Sequence, residues 1–414
     1  MTHNAEIDPI AQFYEAHPYP PPVEALSPRS SPNRTEHQRW EHHLLWPARP
    51  FSQRRSVLIA GCGTSQAARY AMANPRASVM AIDVSEASLR HTMALAERHD
   101  LDNLTVRRLA VEDASKLEGP FDHVVCTGVI HHLAAPDRGL AALADVLAPG
   151  GALHLMVYAP FGRTGIDMIR RYGQLLGLTT SESDIDDLLA SLQELPSGHP
   201  LAHLLGNSPD FDDRHALADA LLNPREQSYS VPQLFRLLDG AGLAFGRWLR
   251  QAPYLPHCGV LAGLAHGERI AALEPADQYA AVELFRGTMT RHSVIANHRA
   301  DVPAASPVDF DGPGPSAWLD YVPLRSPTAL DVDDRERLPP GAAAALLNRA
   351  HTHTDLVLFV DSAGHAIFRG IDGQRSIGAI VEQADDVSIA VAHGLFRQLW
   401  RHDLVVFDTR GATD

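Results

Sequence analysis

From Ser56 onward the chain alternates short apolar runs with helix-length amphipathic stretches. Runs of four to eight apolar residues bounded by turn residues read as buried strands, and the longer stretches between them as crossover helices. The pattern predicts strands over 57–60, 78–83, 104–109, 123–127 and 152–158, with helices starting near Ser65, Ser85, Asp113 and Pro136. Pro149-Gly150-Gly151 is expected to stop a helix and introduce the strand at 152. Strands and helices in this order build an α/β doubly wound sheet.

The rhythm breaks over 160–230, a polar and partly helical stretch too long for a simple connection, and read as an insert on the substrate side of the sheet. It resumes with a helix over 231–241, where Ser230-Val231-Pro232 has the form of a capped start, then a strand at 244–250, a helix at 275–290 and a strand at 292–298. One domain is therefore predicted over 51–300. The Pro- and Gly-rich stretch 301–318 has linker composition. Beyond it, 319–414 predicts a helix at 341–350, a strand pair at 356–360 and 366–369, helices at 377–383 and 389–400 and a strand at 404–407, the order of a small winged-helix-like domain. Residues 1–50 form an aromatic and proline-rich cap, in which Phe13-Tyr14-Glu15 and the run from His17 to Pro22 either lie over a cleft as a lid or pack an arm onto the domain.

Composition narrows the function classes. At 414 residues and 45% hydrophobic the chain is an ordinary multi-domain globular protein, with no apolar run that would cross a bilayer. The N-terminus lacks a cationic start and an apolar stretch, so a cytoplasmic address is expected, with no membrane partner. A net charge of -15 disfavours nucleic acid as a partner, and 319–414 lacks a basic stripe. The three cysteines, His42-His43 and His351-Thr352-His353 lack further ligands at recognisable spacing, so no metal is expected. A homodimer is left open.

The chemistry starts where Val57-Leu58-Ile59-Ala60 runs into Gly61-Cys62-Gly63-Thr64-Ser65. Two glycines let the backbone turn sharply and approach a ligand closely. A nicotinamide dinucleotide would want a third glycine at 66, where Gln66 stands. Asp83 ends the second strand 20 residues after Gly63, where a carboxylate can hold both ribose hydroxyls, or alternatively cap the following helix. Together with Asp113, Phe121-Asp122 and Gly128-Val129-Ile130-His131-His132-Leu133, the stretch 57–158 resembles the class I S-adenosylmethionine-dependent methyltransferases, with looser agreement over 10–300.

The resemblance implies a Rossmann-like methyltransferase sheet and S-adenosyl-L-methionine as cofactor. It implies that the loop Ala60, Gly61, Cys62 and Gly63 passes beneath the methionine part, that Asp83 with Val84 binds the ribose, that Asp113 and Ala114 border the adenine, and that Gly128 lies at the cofactor. The chain departs from the family at Ile59, usually an acid, and at Ser65, usually glycine. His131 and His132 follow the fourth strand and Tyr158 ends the fifth, so these three are the candidate catalytic groups, set against plain packing of the loop. Tyr14, Tyr19, Arg225, Tyr229 and Arg250 are candidate acceptor-binding residues; for Arg225 and Arg250, ion pairing to Asp212 or Asp213 is the alternative. The expected function is methyl transfer to a small molecule or a peptide side chain. A regulatory protein that binds S-adenosylmethionine without turnover is the alternative.

Overall fold

The computed structural model describes residues 8–27, 34–205, 213–301, 308–310, 312, 316–384 and 387–410. The predicted linker falls largely outside them, including Pro303, Pro307, Pro313, Gly314 and Pro315, as does Asp212. The chain divides into two units: one comprises 1–29, 54–246 and 283–301, the other 30–53, 247–282 and 302–414.

The first unit is built on seven strands, β1 (Ser56–Ala60), β2 (Ser78–Asp83), β3 (Leu104–Arg108), β4 (Phe121–Thr127), β5 (Leu147–Tyr158), β6 (Leu243–Trp248) and β7 (Arg291–His298). Their order is β3-β2-β1-β4-β5-β7-β6. β1 pairs in parallel with β2 and β4, β4 with β5, and β7 runs antiparallel to β5. β1 is buried on both faces, with Val57, Leu58, Ile59 and Ala60 at 0% exposure, which is why its sequence is a continuous apolar run rather than an alternation. The order reverses direction between β1 and β4, the switch point beyond whose carboxyl ends such sheets bind ligands.

Two expectations change here. The stretch near Asp113 is a 3-10 turn, Val111–Lys116, rather than an α-helix. Pro149-Gly150-Gly151 lies inside β5, not before it: the β4–β5 register shifts between Phe121 and His123, and Gly150 takes a φ of 63° there. A bulge absorbs residues that look like a helix stop.

The insert is helical, with Thr164–Leu176, Glu182–Gln193 and Arg214–Leu222 as its main helices. Ile166, Ile169, Ile185, Leu188, Leu201 and Leu217 close a core of their own, and Phe13 from the N-terminal helix Pro9–Ala16 is part of it.

The second unit carries an antiparallel sheet of Val357–Val360, Ala344–Asn348 and Ala329–Val332, and a pair of Val405–Asp408 with Val322–Arg325. The expected helix at 341–350 is thus replaced by a strand. Its alanines are buried and it has a pairing partner on each side, so tertiary pairing overrides alanine's helix preference. The expected strand at 366–369 lies within the helix Ser362–Gly370, whose start is capped by Asp361 accepting from the Gly364 N–H. The helices Ile377–Glu382 and Ile389–Arg401 and the last strand stand as expected. The histidines once weighed as ligands are paired inside this unit: His351 Nε2 lies 3.1 Å from Asp403, and His43 Nε2 3.6 Å from Asp408.

Ile59 shares a core with Ala67, Ala71 and Ala81. Ile59→Asp is expected to bury an uncompensated carboxylate and to cost about 3 kcal/mol or more, read as a lower denaturation midpoint. An unchanged midpoint would mean that this position has a polar partner available.

Candidate functional site

The glycine loop is held by backbone geometry that only glycine satisfies. The Gly61 and Cys62 N–H groups both donate to the Ile82 carbonyl, at 2.8 and 3.0 Å, tying the loop to β2. Gly61 has a φ of 70°, and a Cβ there would lie 2.2 Å from Val129 Cγ2, on the segment after β4. Gly63 has a φ of 56°, and its Cβ would lie 2.5 Å from the Tyr19 carbonyl oxygen. The left-handed backbone alone would cost a side chain about 1–2 kcal/mol at each place.

Asp83 closes the other side. One carboxylate oxygen accepts from the Gly63 N–H and the other from the Ser85 N–H, each at 2.9 Å. Ser85 is the N-cap of the helix Glu86–Arg98, its hydroxyl accepting from the Ser88 N–H, so Asp83 is not the helix cap. A carboxylate offers about four acceptor positions, so capacity remains for a ligand hydroxyl. Burial pushes the Asp83 carboxyl above its usual range, opposed by the backbone N–H groups of Ser85, Gly63 and Val84. Asp113 stands in a half-exposed pair with Lys116 at 2.8 Å, and Ala114 is buried beneath it. At Gly128, with a φ of 79°, a Cβ would meet only Met156 Cε at 3.7 Å, leaving that side open.

The N-terminal segment crosses this edge. The Thr64 hydroxyl donates to the Pro20 carbonyl at 2.6 Å. The Ser85 hydroxyl donates to the Tyr14 carbonyl, and the Glu15 carboxylate accepts from the Ala87 N–H at 3.1 Å. That carboxyl is held below its usual range, first by the Ala87 N–H. Leu26 then packs with Ala68 and Leu95, so both ends of the segment are anchored.

Beyond the carboxyl ends of β4 and β5 lies a cluster of buried polar side chains, the chamber lining. His131 and His132 are 1% and 2% exposed, with ring centroids 4.3 Å apart, and His131 lies 4.0 Å from the Tyr158 ring. The Arg163 guanidinium covers Tyr158 at 3.6 Å from the ring centroid. Burial pushes the Tyr158 hydroxyl up, with the Asp219 charge adding to it, and lowers His131 well below the ordinary imidazole value. His131 is therefore neutral at pH 7, and neither of its ring nitrogens has a hydrogen-bond partner among the described residues.

His132 differs. Its Nδ1 is 2.7 Å from the Arg225 carbonyl oxygen, which can only accept, so Nδ1 carries a hydrogen. In the neutral ring Nε2 then presents a lone pair. That atom is buried without a hydrogen-bond partner among the described residues.

Tyr14 packs edge-on against His132, centroids 6.0 Å apart, and donates its hydroxyl to Asp219 at 2.8 Å. The Arg225 guanidinium reaches Asp8 at 3.3 Å rather than Asp213, and Asp212 lies outside the described residues. Tyr229 is buried, its N–H donating to the Tyr158 carbonyl at 2.8 Å, and burial with the Asp137 charge pushes its hydroxyl to about 12. Arg250 is exposed and belongs to the second unit.

Sequence reasoning missed Arg163, Arg170 and Asp219, and placed Asn223 and Glu226 on the cleft side without assigning them a role. Arg163 pairs with Glu226 at 2.7 Å, both side chains at least nine-tenths buried, with Arg170 3.9 Å from the other carboxylate oxygen. Asp219 and Asn223 stand one helical turn apart, a spacing that shares a face, but nothing in the sequence shows which way that face points.

The sheet order with its antiparallel seventh strand, the glycine turn and the carboxylate ending β2 together form a Rossmann-like fold of the methyltransferase type. Residues 58–153 match the family model described as a methyltransferase domain. Over 248 residues the chain is 35% identical to an uncharacterized protein of Synechococcus sp., covering 57% of this chain and 58% of that one. Over 132 residues it is 36% identical to trans-aconitate 2-methyltransferase of Deinococcus radiodurans, covering 32% of this chain and 45% of that one. The chain thus spans about half the length of these relatives. Among solved structures, PKMT2 from Rickettsia typhi in complex with AdoHcy superposes with a TM-score of 0.64 at 15% identity, over 94% of this chain and 77% of that one, a likeness of fold.

The donor set fits the cofactor: the Asp83 carboxylate keeps acceptor capacity beyond its two backbone bonds, and the side of Gly128 is open. Because the carboxyl is raised, affinity for S-adenosylhomocysteine is expected to fall as pH drops through a value above the usual aspartate range. Stability runs the other way. A raised carboxyl penalises the ionised folded state, so the apo protein gains stability from this group as pH falls through its folded value. Calorimetric titration across pH 4–7 checks this, and in Asp83→Asn the acidic step in affinity should vanish, with affinity at pH 7 lowered more than tenfold by the loss of charge-assisted bonds of about 1.5 kcal/mol or more.

Proposed function

We propose that the protein transfers a methyl group from S-adenosylmethionine to a small molecule or a peptide side chain, with His132 as proton acceptor. The supporting observation is the buried Nε2 of His132, fixed as a bare lone pair by the Arg225 carbonyl. Ala60, Gly61, Cys62 and Gly63 would pass beneath the cofactor's methionine part, Asp83 and Val84 would hold its ribose, Asp113 and Ala114 would border its adenine, and Gly128 would leave room beside it. When bound, the cofactor supplies an electrophilic methyl on a sulfonium.

What remains for the chain is to align an acceptor and keep its lone pair free. His132 takes the acceptor's proton at Nε2. His131 stays neutral and supplies one donor and one acceptor to the same space. Tyr158, clamped between Arg163 and His131, orients by its hydroxyl. Tyr14 and Tyr19 bring the N-terminal segment over the chamber, while Arg225 and Tyr229 fix its other wall through their backbone bonds to His132 and Tyr158.

Incubation of the protein with methyl-labelled cofactor and a cell metabolite extract is expected to move label into an acceptor. His132→Gln should lower that rate about 100-fold or more, with affinity for S-adenosylhomocysteine unchanged. Binding of the cofactor without any transfer by the wild type would favour the regulatory alternative. Deletion of residues 1–22 should abolish transfer while leaving much of the cofactor affinity, because Asp83 and the glycine loop lie outside the deletion; full transfer by the truncated chain would contradict the lid.

A further inference from the structure

Asp219 sits on the helix Arg214–Leu222, 4% exposed, among residues of the chamber. Its Oδ1 accepts from the Tyr14 hydroxyl at 2.8 Å and from Asn223 Nδ2 at 3.2 Å. Both donors are neutral. Its Oδ2 accepts no hydrogen bond among the described residues, and no arginine, lysine or histidine among them lies within ion-pair distance. The guanidinium groups nearby have other partners: Arg163 donates to Glu226, Arg170 to the Ala220 and Asn223 carbonyls with Glu226 3.9 Å away, and Arg225 pairs with Asp8.

A buried carboxylate without a cationic partner is costly, and the usual compensation is a cation supplied by something else. The surroundings suit one. Tyr14, His131 and His132 line the site with aromatic rings, and in the tautomer set by the Arg225 carbonyl the Nε2 of His132 accepts but does not donate. A ligand bearing several N–H donors and one positive charge satisfies both the carboxylate and the lone pair. An alcohol offers one donor and no charge, and a carboxylate or phosphate offers neither.

We propose that Asp219 is the counter-ion of an ammonium group on the methyl acceptor, so that the acceptor class is a cationic amine. This rests on the methyltransferase reading of the same chamber, and it goes further in naming the charge that the site selects. Tyr14 positions the carboxylate by holding Oδ1, leaving Oδ2 for the ligand.

The test uses the full chain, with and without S-adenosylhomocysteine, titrated with n-butylammonium, 1-butanol and butyrate. The ammonium is expected to bind at least tenfold more tightly than the alcohol, with butyrate weakest. Asp219→Asn keeps the size and one acceptor oxygen for Tyr14, so the folded protein should retain its thermal midpoint or gain in it while losing the preference for ammonium over alcohol. Tyr14→Phe should weaken ammonium binding severalfold with the preference kept. Equal binding of the three probes, no binding of the ammonium, or an unchanged preference in Asp219→Asn would overturn the proposal. Absence of S-adenosylhomocysteine binding together with ammonium selectivity would instead overturn the methyltransferase reading and leave the Asp219 site standing.

Discussion

The site depends on one close approach. Between β1 and the helix after it, the chain passes so near Val129 and the Tyr19 carbonyl that neither Gly61 nor Gly63 can carry a side chain. Asp83 fixes that passage from β2 by accepting the Gly63 N–H. The ligand-binding edge, the segment after β4 and the N-terminal strap thus meet at two glycines and one carboxylate. A change at any of them moves all three.

The chamber follows from the same edge. β4 and β5 end at the switch point, and what continues from them, Val129 to His132 and Tyr158, must face whatever lies beyond the glycine loop. The insert closes the far side with a core of its own, into which Phe13 is packed. The consequence is a buried cluster of aromatic rings and imidazoles. Arg163 pairs with Glu226, and Asp219 accepts hydrogen bonds from neutral donors only.

How much of this the sequence displayed depends on whether a feature is local. β1, β2 and β4 are short apolar runs with nothing ambiguous beside them, and the Gly61–Gly63 turn followed by Asp83 is a matter of spacing along the chain. His131, His132 and Tyr158 could be placed because they end strands. Asp219 and Arg163 could not, since their orientation is set by how the insert helices pack. Arg225, read as a candidate acceptor-binding residue, reaches Asp8, a partner more than 200 positions away in sequence. Ala344–Asn348 shows the same limit in the second unit: its alanines favour a helix in isolation, and two neighbouring strands make it a strand.

The departures from the methyltransferase pattern also have physical readings. Ile59 lies where relatives of the class usually carry an acid, and here it is sealed in the core with Ala67 and Ala71. Structure determination with bound S-adenosylhomocysteine tests the account most directly. The account predicts the ribose hydroxyls on Asp83, the adenine beside Ala114, and the sulfur facing the chamber formed by Tyr14, His132 and Tyr158. A nucleoside bound elsewhere, or a sulfur more than about 15 Å from both Tyr14 and Tyr19, some three times any contact distance, would contradict it.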